Sequence, residues 1–103
     1  MKRPGFRFDG QADGDTSVSF IYVDIEPGVK VRLHRHLYDE IFVILDGEAT
    51  FRAGGDVVEV EAGDVVISPA GEAHGFENTG TVRLRQVDIH VTDRIEQENL
   101  EDE

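Results

Sequence analysis

The chain has 103 residues, no cysteine, and 22 acidic against 10 basic side chains, a formal net charge of −12 at pH 7. That length holds one domain, and the missing thiols exclude disulfides, thiolate metal sites and cysteine nucleophiles. The charge opposes nucleic acid and anionic membrane surfaces as partners, because phosphate binding needs a Lys/Arg patch that releases counterions.

Residues 1–17 read as an N-terminal arm. Met1-Lys2-Arg3-Pro4-Gly5 has charge with no apolar region after it, so no signal peptide is expected; no run approaches a membrane span, and a cytoplasmic location is the default expectation. Gly5 to Phe8 alternates like an edge strand, and Asp9 to Ser17, rich in Gly, Asp and small polar residues, reads as a loop. The main body, residues 18–92, opens with Val18 to Ile25, a strand rich in β-branched and aromatic residues, closed by the turn Glu26-Pro27-Gly28.

Lys30 to His36 comes next. Period-2 alternation puts Lys30, Arg32, His34 and His36 on one face and Val29, Val31 and Leu33 on the other, so the histidine face begins polar, as for a strand leading to a solvent-accessible pocket. After the link Leu37-Tyr38-Asp39, Glu40 to Leu45 is apolar on both faces, which predicts cover on both sides by a second sheet or another subunit. Asp46-Gly47-Glu48 is a hairpin signal. Short strands follow at 49–52, 57–60, 65–67 and 74–78, each bounded by Gly, Pro or Asp turns. In the last long strand, Thr81 to Val91, the apolar phase shifts from even to odd positions, which predicts a bulge near Arg85-Gln86. Residues 93–103 read as an acidic tail in which Asp93 to Leu100 could form one or two helical turns, with Asp93 and Glu96 spaced as a capping box. About eight to ten short strands without a long helix predict an all-β sandwich or barrel of the jelly-roll kind.

Three candidate metal ligands, His34, His36 and Glu40, share one parity, and His74 follows a turn fixed by Pro69 and Gly71 that could carry it over the first cluster. Imidazole suits Zn, Fe, Ni and Cu, and carboxylate suits harder ions such as Mn. Four protein ligands would leave a five- or six-coordinate ion an open position for water or substrate. Ser17, Ser19 and Ser68 lie in no elbow leading to a helix, which opposes a serine hydrolase. Gly54-Gly55 opens no helix, which opposes a phosphate loop. His90 could pair with Asp88 on the same strand face, act in a pocket, or merely end the last strand.

Two motifs then carry a resemblance. Gly28, His34, His36, Glu40 and Gly47 match in full the first motif of the cupin superfamily, and Gly63, Pro69, Gly71, His74 and Asn78 match the second. The chain resembles the small single-domain cupins. The resemblance implies a double-stranded β-helix or jelly-roll barrel. It also implies one divalent ion (Fe, Mn, Zn, Ni or Cu) held by His34, His36, Glu40 and His74. Homodimers that pack sheet against sheet are expected, sometimes exchanging an N-terminal strand, for which Phe6 to Phe8 is the candidate. Fold does not fix reaction. The expected function is a metal-dependent enzyme, an oxidoreductase, lyase or isomerase, acting on a small organic molecule such as a carboxylate by dioxygenase-like or Lewis-acid chemistry. The alternative is a non-catalytic module binding a metal and a small ligand. Phe20, Tyr22, Tyr38, Phe42 and Phe76 are candidates for the pocket wall, and Arg32, Arg83 or Arg85 for meeting a carboxylate.

Overall fold

Short runs of β-branched and aromatic residues between turns give ten strands in the computed structural model, which describes residues 6–101. Met1 to Gly5, with the start of the expected edge strand, and Asp102 and Glu103 of the acidic tail lie outside the described residues. The strands are β1 (Arg7–Phe8), β2 (Ser19–Ile25), β3 (Lys30–Arg35), β4 (Glu40–Asp46), β5 (Glu48–Ala53), β6 (Asp56–Glu61), β7 (Val65–Ser68), β8 (His74–Glu77), β9 (Leu84–His90) and β10 (Glu98–Asn99). A single π-helical turn, Gly10–Gly14, interrupts the loop after β1. No helix among the described residues is long and apolar enough to cross a membrane.

The strands form two antiparallel sheets of five, in the orders β1-β2-β9-β4-β7 and β10-β3-β8-β5-β6. From β2 onward the chain changes sheet at every connection except the β5–β6 hairpin, which is double-stranded β-helix topology. Neither sheet closes, so the expected barrel is corrected to an open two-sheet sandwich with edges at β1, β7, β10 and β6. The reason is visible between β6 and β7. There Gly63 N–H donates to the Ile44 carbonyl at 2.9 Å and Ala62 N–H to Gly47 at 3.1 Å, so the turn's backbone groups are used up without extending a ladder from one sheet to the other. Asp46-Gly47-Glu48 is likewise not a hairpin: β4 and β5 lie in different sheets, and the turn carries the chain between them.

Three further expectations change. Register slips between Val31 and His34 on β3, where Arg32 and Leu33 bulge over Gly75. The bulge resets the parity, so Val31 packs on the core and shares the inward side with His34 and His36. Lys30 is exposed and does not form a polar approach to the histidines. Near Arg85-Gln86 there is an irregularity, but the extra residue is Leu45 on the partner strand β4. β9 itself runs from Leu84 with an unbroken inward row, Leu84, Gln86, Asp88 and His90, so the change of apolar phase marks an inner face turning polar. No helix forms over 93–100. With Ile95 and Leu100 its only large apolar side chains, this segment has no face to bury as a helix. It lies extended along β3 instead, with Glu98↔Arg35 and Asn99↔His34 paired.

Between the sheets the core comprises Val23, Phe42, Ile44, Ala49, Phe51, Val60, Phe76 and Leu84. Its rings interlock, with Phe42 edge-on to Phe51 at 4.9 Å and Phe51 stacked on Phe76 at 5.1 Å. Each inner strand passes from this apolar end to a polar one: Ile44 to Glu40, Phe76 to His74, Leu84 to His90, Val31 to His34. The outward side of the first sheet is apolar too, in two cross-strand rows, Phe20–Ile89–Ile41–Ile67 and Tyr22–Val87–Val43–Val65.

Candidate metal centre

At the polar end two ladder rows meet. One sheet sets Ser19, His90, Glu40 and Ser68 side by side, and the other sets His34 beside His74. His36 follows β3 directly and adds a third imidazole. The tight turn before β8 is anchored here: Gly71, at φ +83, donates its N–H to the His36 carbonyl at 2.8 Å, and Ala70 N–H donates to Asp39 Oδ1 at 2.9 Å. That turn delivers His74 to the cluster.

His34, His36, Glu40 and His74 are buried, at 7%, 3%, 2% and 2% exposure. One donor atom from each lies within 4.8 Å of the others, a grouping that could hold a metal ion. Glu40 Oε1 stands 3.0 Å from His36 Nε2 and 3.0 Å from His74 Nε2. These three buried atoms nonetheless make no aligned hydrogen bond. Such orphaned polar atoms are costly unless something else satisfies them. The far ring nitrogens are all engaged: His34 Nδ1 with the Arg32 carbonyl at 2.8 Å, His36 Nδ1 with the Glu96 carbonyl at 2.5 Å, His74 Nδ1 with Ser68 Oγ at 2.8 Å. A carbonyl only accepts, so Nδ1 of His34 and His36 carries the proton and Nε2 keeps its lone pair. This is how imidazoles are prepared for a divalent ion. The donor set fits one.

Electrostatics divide the cluster. Burial alone would raise the Glu40 carboxyl, but the imidazoles of His36, His74 and His90 outweigh it and hold the group well below the usual carboxylate range. Burial, with His74 and His36 nearby, lowers His34 against the opposing pull of the Arg32 carbonyl. Burial also works to lower His36, but the nearby Glu40 carboxylate and the Glu96 carbonyl prevail and raise it. Asp88, wholly buried and near the Glu40 charge, is raised well above an ordinary aspartate.

Of the expected wall residues, Phe42 packs edge-on to His74 at 5.3 Å and Tyr38 stacks on His36 at 4.8 Å, while Phe76 lies deeper in the core. Phe20 and Tyr22 face the other side of the sheet. The arginines named for a carboxylate are elsewhere. Arg83 pairs with Asp24 at 2.6 Å, Arg85 with the same carboxylate at 3.6 Å, and Arg32 sits in the β3 bulge. His90 pairs with neither surface nor Asp88. Its Nδ1 is 2.7 Å from Tyr38 Oη and its Nε2 3.1 Å from Glu40 Oε2, while Asp88 accepts from Gln86 Nε2 at 2.7 Å. Sequence reasoning missed Ser68 and the Glu96 carbonyl, which only the folded register brings to the histidines. Beside His36 a cleft of about 180 Å³ opens between 35–37 and 96–98.

Residues 21–90 match the family model of the cupin domain. An oxalate-binding protein of Thermotoga maritima is 42% identical over 66 residues, 63% of this chain and 54% of that protein. An acireductone dioxygenase of Sulfurihydrogenibium is 40% identical over 65 residues, 59% of this chain and 36% of the enzyme. The chain thus spans about half or less of these relatives' own length. Among solved structures, Bacillus subtilis oxalate decarboxylase superposes with a TM-score of 0.84 at 23% identity, covering 97% of this chain and 29% of that one, a likeness of fold. With both sheets, the inward His/His/Glu/His cluster and the family model in agreement, the chain belongs to the cupin family.

Proposed function

We propose that this cupin binds one divalent ion through His34, His36, Glu40 and His74 and acts on a small carboxylate-bearing molecule at that ion. The observation that carries the reading is the set of buried, inward Nε2 and Oε1 atoms left without aligned hydrogen bonds while the opposite ring nitrogens are fixed. Three nitrogens and one oxygen suit Fe, Mn, Zn, Ni or Cu. When bound, the ion supplies Lewis-acid polarisation of the ligand's oxygens, or redox chemistry if it is iron or manganese. Three neutral imidazoles and one carboxylate leave a divalent ion with a residual positive charge. That charge is the local attraction for an anion on a chain whose formal charge is −12. The likeness to an oxalate-binding protein and an acireductone dioxygenase supports a small, oxygen-rich ligand of this class. Phe42 walls the site on the core side.

A second reading, a module that binds such a ligand without turning it over, is favoured by the likeness to the oxalate-binding protein. Metal analysis of the purified protein beside His34→Ala tests the shared part: the variant is expected to lose most of its metal, and an unchanged content would make the ligand assignment wrong. Incubating the loaded protein with oxalate and keto acids in air then separates the readings. Product formation or oxygen uptake supports the enzyme, and saturable, metal-dependent binding without turnover supports the module. The same proposal includes a homodimer, with a second copy packed on the apolar outer rows of the first sheet, and a cytoplasmic location; the net charge of −12 supports the absence of a nucleic-acid partner.

A further inference from the structure

A fourth imidazole is turned toward the proposed centre. His90 is 2% exposed and is the cross-strand neighbour of Glu40. The two oxygens of Glu40 face different partners: Oε1 looks to His36 and His74, while Oε2 is 3.1 Å from His90 Nε2. That nitrogen is within hydrogen-bond reach of Oε2 but not aligned with it, and no other partner reaches it among the described residues. Its ring is held from behind. Tyr38 Oη lies 2.7 Å from His90 Nδ1, 3.0 Å from the Glu96 carbonyl and 3.3 Å from the Glu96 amide, which donates to it.

Distances point to one direction for this hydrogen-bond relay. Tyr38 has one proton to give and two acceptors within reach, His90 Nδ1 at 2.7 Å and the Glu96 carbonyl at 3.0 Å, of which His90 is the nearer. Among the described residues, the partner of His90 Nδ1 is Tyr38. With the phenol donating to Nδ1, a neutral His90 carries its own proton on Nε2, facing Glu40 Oε2. A carboxylate fixed through one oxygen can offer only the other to an ion.

We propose that Tyr38 and His90 form a positioning pair that holds Glu40 by Oε2, so that Glu40 binds the ion through Oε1 alone and a coordination position stays open for the incoming carboxylate. The inference rests on the four-ligand reading above. Without the pair, Glu40 is free to turn both oxygens onto the ion and occupy the position a substrate needs. Outer groups that orient metal ligands typically matter by about 10- to 100-fold in affinity or activity.

The test uses the full chain loaded with Mn(II), as wild type, Tyr38→Phe, His90→Ala and His90→Gln, with oxalate as probe. Crystal structures of the loaded proteins read the number of Glu40 oxygens on the ion, and calorimetry reads oxalate affinity. One bonded oxygen is expected in wild type and two in His90→Ala, with manganese retained. Oxalate affinity is expected to fall about 10-fold or more in His90→Ala and less in Tyr38→Phe. His90→Gln, whose amide can donate to Oε2, should restore the one-oxygen mode. Tyr38→Phe keeps the ring stack on His36 and stands in if His90→Ala fails to fold. Two bonded oxygens in wild type, His90 itself on the ion, or unchanged coordination and oxalate affinity in the variants would each overturn the pair's role while leaving the four-ligand site intact. Manganese bound elsewhere, or not at all, would sink the underlying site as well.

Discussion

At the scale of single residues, the site holds titratable groups in opposite states within a few ångströms. Glu40 is kept ionised by the imidazoles around it, whereas Asp88, one pleat along the inner row of β9, is pushed up by burial and by the Glu40 charge. The consequence for stability has a definite sign. An aspartate whose folded pKa exceeds its unfolded value, about 3.9, keeps a proton that the unfolded chain has lost. Stability therefore falls as pH rises from that value through the raised folded one. Asp88→Asn removes this slope and retains the oxygen that accepts from Gln86 Nε2. In chelator-treated protein the variant should be the more stable at about pH 8, by on the order of 1 kcal/mol, with a smaller gain at about pH 5.5. Urea melts at the two pH values check it, and a gain independent of pH would show that charge is not the cause.

At the scale of elements, β3 carries the most consequential irregularity. Its bulge at Arg32-Leu33 rotates the strand so that Val31 joins the core and the histidines still point inward, and it also presents the Arg32 carbonyl to His34 Nδ1. The bulge depends on a glycine opposite. A Cβ on Gly75 would lie 2.8 Å from the Val31 carbonyl oxygen and 3.2 Å from both the Arg32 carbonyl carbon and the Leu33 nitrogen, all backbone atoms that cannot swing aside. Gly75→Ala is expected to cost about 1–3 kcal/mol, the range for overpacking, and to weaken metal binding because His34 and His74 flank the displaced segment. Thermal melts with and without chelator read both effects; a full-strength metal-dependent gain in melting temperature would refute the second. The segment after β9 matters in the same way. Lying extended on β3, it brings the Glu96 carbonyl to His36 Nδ1, a service a helix there could not perform, since helical carbonyls are turned along the axis to their own amides.

For the whole molecule, two faces of the first sheet are apolar; the inner one is covered by the second sheet, while among the described residues the outer one has ring contacts from Phe6 and Phe8 at Phe20 and leaves Val65 and Ile67 exposed. Outside, Ile67 is 62% and Val65 56% exposed, beside the half-buried Ile41, Val43, Val87 and Ile89. A contiguous patch of this kind is typical of an association surface. The proposed dimer makes a plain prediction: wild type should sediment at twice the chain mass. Ile67→Lys should sediment as a monomer with its intrinsic stability changed by no more than about 0.5 kcal/mol, as for a surface position. A monomeric wild type contradicts the packing.

How much was legible from the residues follows from what is local. Strands, turns and the change of inner-face polarity depend on neighbours a few positions apart, so the all-β architecture could be read directly, and Pro69, Gly71 and the His-X-His spacing pointed to a His/His/Glu/His grouping that the fold does bring together. Closure of the barrel, the sense of the Asp46-Gly47 turn, the parity of Lys30 to Leu33 and the course of 93–100 could not be read so. Each is decided by which distant strand supplies the hydrogen-bond partner: Gly63 for Ile44, Gly75 for the bulge, β3 for the C-terminal segment. The same holds for His90, ambiguous in sequence because an inward histidine takes its meaning from what faces it. Composition and spacing determined that this chain is an all-β domain with the makings of a metal centre. Only the tertiary pairing of β9 with β4 decided that His90 stands against Glu40, because ladder register between distant strands is a property of the assembled sheet.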